Sequence, residues 1–83
     1  MDTIYLNDFC TDGILKEKDF KEKVSSINWL KFIDKTVLIK GCADVPIPTW
    51  AYMMIAVALS KHAKKILFGE PCSSITIFNK SKD

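Results

Sequence analysis

From Thr49 to about Ala63 the chain reads as a helix with almost no polar side, since the run from Trp50 to Leu59 is broken only by Tyr52. A helix apolar all round has to be buried all round. In a chain of 83 residues one small sheet covers only one side of it. With Ala51 placed at zero on a helical wheel, Ala51, Ile55, Ala58 and His62 share one face, flanked by Met54 and Leu59. Trp50, Met53 and Val57 lie on the other side. Either Trp29, Phe32 or the chain termini fold over that second side, or a partner covers it. The second reading is preferred, and the expected interface is Trp50, Met53 and Val57 in a two-fold homodimer, the commonest arrangement of soluble oligomers.

The apolar run is far shorter than the roughly 20 residues of a membrane span, so no membrane association is expected. Hydrophobic residues make up 48% of the chain, which suits a globular fold. At this length a single α/β domain, residues 1–83, is expected. Net charge is +2 with both signs mixed along the sequence, which leaves no electrostatic footprint for nucleic acid. Met1-Asp2-Thr3-Ile4 shows no signal-peptide pattern. Three cysteines without paired spacing fit a reducing compartment. The expected location is the cytoplasm.

Upstream, Ile4-Tyr5-Leu6 followed by Asp8-Phe9-Cys10 reads as a first strand, with Thr11-Asp12-Gly13 as its turn. Between Lys16 and about Asn28, Phe20, Val24 and Ile27 fall on one helical face. Glu17–Lys21, Lys18–Glu22 and Asp19–Lys23 are opposite charges four apart on that helix. Trp29 to Ile33 is an apolar connector with the character of a helical turn. Thr36-Val37-Leu38-Ile39-Lys40, closed by Gly41, is a buried strand by composition. Two prolines stiffen the loop Cys42 to Pro48, and Thr49 is the expected N-cap of the apolar helix. Ile66-Leu67-Phe68 is a third strand, Glu70 to Ser73 a turn, and Ser74 to Phe78 a fourth strand. The βαβ unit over Thr36–Phe68 implies parallel neighbours, and the short turn after it an antiparallel return. The expected fold is therefore α/β, a small mixed sheet of three to four strands with two helices.

Chemistry can converge at one place. Parallel sheets bind ligands at the carboxyl ends of their strands. Cys42 and Asp44 follow the second strand, and Glu70 and Cys72 follow the third. The amino end of the apolar helix, which favours an anion or a thiolate, belongs beside them. Against this stands the usual role of a free cysteine as a small buried hydrophobe, and neither Cys42 nor Cys72 sits in a spaced metal or redox motif. Asp44 equally suits a turn. Zinc held by Cys10, Cys42, Cys72 and His62 is disfavoured, because His62 belongs about 18 Å away at the far end of the helix. Gly41 and Gly69 end strands and form no phosphate-binding pattern.

Three blocks carry a resemblance: Gly13-Ile14-Leu15-Lys16-Glu17-Lys18-Asp19-Phe20, Pro48-Thr49-Trp50-Ala51-Tyr52-Met53 and Phe68-Gly69-Glu70-Pro71-Cys72-Ser73. In this order, over about Gly13 to Lys80, the chain resembles the uncharacterised bacterial family called domain of unknown function 2480. Members of that family run to about double this length and contain two related α/β halves. The stretches at Gly13 and Pro48 resemble the first half, and Ile39-Lys40-Gly41-Cys42 with Gly69-Glu70-Pro71-Cys72 resembles the second. The resemblance thus implies a condensed single-unit version, in which a site between halves needs two copies of the chain. It carries no catalytic residue across. The family's gene neighbourhood implies an accessory role in iron–sulfur cluster assembly, with a protein partner from that machinery. Cys42 and Cys72 are the positions to test.

Two functions follow as expectations. The first is a non-catalytic interaction or binding module, homodimeric and serving iron–sulfur assembly. The alternative is a thiol-dependent enzyme or sulfur carrier using Cys42 or Cys72. No resident cofactor is expected, apart from an iron–sulfur cluster or metal held across a dimer as a third, weaker reading.

Overall fold

The computed structural model describes residues 1–41 and 46–80. Cys42 and Asp44 fall outside the described residues. The elements run in the order β1 (Asp2–Tyr5), a 3₁₀ turn (Leu6–Phe9), α1 (Glu17–Ser26), a second 3₁₀ turn (Trp29–Phe32), β2 (Thr36–Lys40), α2 (Thr49–Ser60), β3 (Lys65–Phe68) and β4 (Ile75–Asn79). The four strands form one sheet in sequence order, β1-β2-β3-β4. β1, β2 and β3 are parallel and β4 returns antiparallel to β3. The mixed sheet, the central βαβ unit and the two helices match the expected architecture.

Successive crossovers step the same way across the sheet, so with the usual right-handed connection both helices fall on one side. Alternation along the strands agrees. Ile4, Val37, Ile39 and Ile66 join a single hydrophobic cluster with Phe20 of α1 and with Ala51, Ile55 and Leu59 of α2. Leu38, paired in register with Thr3 and Leu67, stands on the opposite face. It is nonetheless fully buried, so its own neighbours shield it there.

Three local expectations are corrected. The segment after Tyr5 does not continue as a strand. It coils into a 3₁₀ turn that buries Leu6 and Phe9 together, because a turn with three residues per repeat brings residues i and i+3 to one side. The residue outside the first turn of α2 is Pro48 (φ −62°, ψ 146°), with no side-chain cap. Thr49 is already helical, since the extended geometry fixed by Pro48 starts the helix one residue earlier than a threonine cap requires. On α2 it is Leu59, not Ala58, that completes the buried stripe with Ala51 and Ile55.

Phe20 is the main anchor of the first helix, with Val24 half-buried against the same core. Phe20 is the helix's only buried side chain, packed 5.4 Å from the Phe9 ring and 5.5 Å from the Trp50 ring, edge-on to the latter. Before it, Asp12 (φ 53°) and Gly13 (φ 75°) make a tight two-residue turn closed by paired Thr11–Ile14 backbone hydrogen bonds, the geometry that Asp-Gly favours. Of the three expected charge pairs on α1, Glu17–Lys21 forms, at 2.8 Å. The Lys21 ammonium holds the Glu17 carboxyl below its ordinary pKa by hydrogen bond and charge. Both groups are well exposed, so the pair adds little to stability. Among the described residues no helix is long and apolar enough to cross a membrane.

Candidate functional site

The carboxyl edge of the parallel strands is built from the ends of β1, β2 and β3. Register sets Tyr5 beside Lys40, on the face away from the helices. The Lys40 ammonium lies 5.8 Å from the centre of the Tyr5 ring and 3.3 Å from a carboxylate oxygen of Glu70. Because β2 and β3 are neighbours, the turn after β3 does return to the end of β2. The Gly69 amide donates to the Ile39 carbonyl at 3.3 Å, and the Ser73 amide to the Glu70 carbonyl at 3.0 Å. Gly69 has φ +121°, a conformation that side chains other than hydrogen rarely allow. Glu70 is thereby committed to an ion pair, and Cys72 is exposed on the turn.

On the helix side of the same edge, Tyr52 of α2 stacks edge-on against Phe68 with centroids 5.0 Å apart. Its hydroxyl lies where a Cβ on residue 41 would be. Gly41 therefore serves close packing: the absent side chain admits the Tyr52 phenol. The contacts of Lys40 with Tyr5 and Glu70, and of Tyr52 with Gly41, were not legible in the sequence. The available signal was Lys40 itself, a charge ending an otherwise apolar strand next to glycine.

Of the disfavoured zinc set, Cys42 lies outside the described residues. The His62 carbonyl accepts from the Asp34 amide at 3.2 Å, which places His62 beside the start of β2, at the amino edge. Cys10, half-buried near the first 3₁₀ turn, directs its thiol toward the Leu6 carbonyl at 3.8 Å. Among the described residues no group of three His, Cys, Asp or Glu side chains is placed to hold a metal ion.

The second candidate surface is the outer side of α2. Met53 and Val57 are each 62% exposed, while Trp50, held against Phe20, is 37% exposed. Trp29 and Phe32 do not cover this stripe. Phe32 is buried in the core, and Trp29 leans on it, donating its indole N–H to the Val24 carbonyl at 3.0 Å. A shallow apolar hollow of about 310 Å³ remains open along Met53, Met54, Val57, Ala58 and Lys61.

The sequence model of the family described as Protein of unknown function (DUF2480) matches residues 3–61 and, separately, residues 26–80. The chain belongs to this family. Residues 26–61 of the DUF2480 chain, the stretch holding β2 and α2, fall in both matched segments. No curated protein and no solved structure matches the chain.

Proposed function

We propose that this DUF2480 chain is a non-catalytic interaction module that pairs with a second copy of itself through the outer stripe of α2. One observation carries the reading: Met53 and Val57, four residues apart on one helix, are both left 62% exposed. Long apolar side chains in such a seam favour helix–helix contact, with small Ala58 admitting a close approach. The double match of residues 26–61 agrees with the two related halves that the family resemblance implies, and this supports a second copy as the occupant. The family resemblance suggests the client, a protein of iron–sulfur cluster assembly.

The test uses Met53→Glu and Val57→Glu. Trp50 is a poorer choice, since its contact with Phe20 couples it to the core. Wild type is expected to elute and scatter as a dimer and either variant as a folded monomer. Monomeric wild type at high concentration overturns the proposal. The thiol reading keeps one observation, the exposed Cys72. It requires that Cys72 react with iodoacetamide near neutral pH faster than a free cysteine, and an ordinary rate rejects it for that residue.

A further inference from the structure

β1 is an edge strand. Its ladder partner is β2, and among the described residues no turn, loop or cap bond outside helices and strands uses the backbone of Asp2 to Ile4. Half of its N–H and C=O groups therefore point outward, the arrangement that accepts an added strand. A groove of about 340 Å³ opens beside this edge, lined by Thr3, Ile4 and Tyr5 of β1, Lys23 of α1, Ile27 just past its end, and Phe32. Further hollows bordered by Asp2 and Lys35 continue it toward the start of the strand. The depression thus follows the length of β1. The opposite edge, β4, is interrupted by a register shift opposite Ile66/Leu67, a device that blunts strand addition.

The charges around the groove are unequal. Asp2 is matched by Lys35 at 3.8 Å. Among the described residues Lys23 reaches the Cys10 carbonyl, at 3.5 Å, and Lys31 lies 5.2 Å from the centre of the Phe32 ring. Neither lysine has a carboxylate partner among the described residues, and Asp8 is the one acid on the lining left to oppose them. A second copy brought edge to edge by a two-fold axis presents the same lining, so the surplus of lysine would face a surface of its own sign.

We propose that the groove takes an extended acidic segment of a partner protein, added as a strand on β1. Its backbone pairs with the outward groups of Thr3 to Tyr5, its apolar side chains lie on Ile27 and Phe32, and its carboxylates meet Lys23 and Lys31. The proposal rests on the reading of the chain as an interaction module, but not on pairing through α2.

The test is a titration of the ¹⁵N-labelled full chain, followed by amide shifts, with two capped hexapeptides: alternating Glu-Val and alternating Lys-Val. The acidic peptide is expected to shift Thr3, Ile4, Tyr5, Ile27 and Lys31 together, with a dissociation constant no weaker than about 1 mM. Lys23→Glu with Lys31→Glu should weaken it about tenfold or more, with an unchanged circular dichroism spectrum. Met53→Glu should leave the titration as in wild type, which separates this surface from the α2 stripe. Equal response to both peptides, shifts confined to β4 or α2, or no shift up to about 1 mM overturns the proposal.

Discussion

At the scale of single residues, the pairing of Gly41 with Tyr52 is the tightest constraint in the fold. A methyl group at position 41 meets the Tyr52 hydroxyl first and the ring carbon bearing it next. Overpacking of this kind costs about 1–3 kcal/mol. Gly41→Ala should therefore lower the urea midpoint by a corresponding amount. Adding Tyr52→Phe removes the atom in closest conflict, and the double variant should regain more than half of the loss. If the two substitutions are simply additive, Gly41 matters for its backbone rather than for the phenol. Sequence reasoning took Gly41 as the end of a strand and no more. Nothing local in Lys40-Gly41 tells which helix residue, a dozen positions on, will come to rest there.

For the elements, α1 shows how a helix with good surface charges can depend largely on one side chain. Phe20 is its only buried residue, held between Phe9 and Trp50. Phe20→Ala should cost about 3–5 kcal/mol, comparable with the whole stability of a chain this small. Thermal unfolding followed at 222 nm is the measurement, and a loss below about 1 kcal/mol contradicts this account of how α1 docks. Helix positions and the parallel β2–β3 pairing were readable because period and connection length are local properties, whereas the order of the whole sheet was not. The 3₁₀ turn at Leu6–Phe9 was not, since an apolar pair three apart in so short a segment fits a strand end as easily as a turn. The Pro48 start of α2 was missed because a threonine signals a cap only when its neighbour leaves it outside the helix. Of the candidate site residues, Glu70 and Cys72 come to the expected edge because β2 and β3 are neighbours. The Lys40–Glu70 pair could not be foreseen, because it depends on register.

For the whole molecule, the proposed pairing through the open stripe on α2 would make stability a matter of concentration. If pairing through Met53 and Val57 accompanies folding, mass action raises the melting temperature as protein concentration rises. Wild type should show that dependence, and Met53→Glu should melt at one temperature throughout. A flat wild-type series contradicts pairing over the range sampled. The antiparallel turn of β4 has a further consequence. Register places Asp2, Thr36, Lys65 and Asn79 along one edge of the sheet, so the described fold starts and finishes on the same side, opposite the Lys40–Glu70 edge. At about 4.8 Å between strands, the start of β1 and the end of β4 lie about 14 Å apart, a gap that roughly five extended residues span. Circular permutation is therefore cheap in geometry for this unit: a short connector closes the described fold along that edge without threading the sheet.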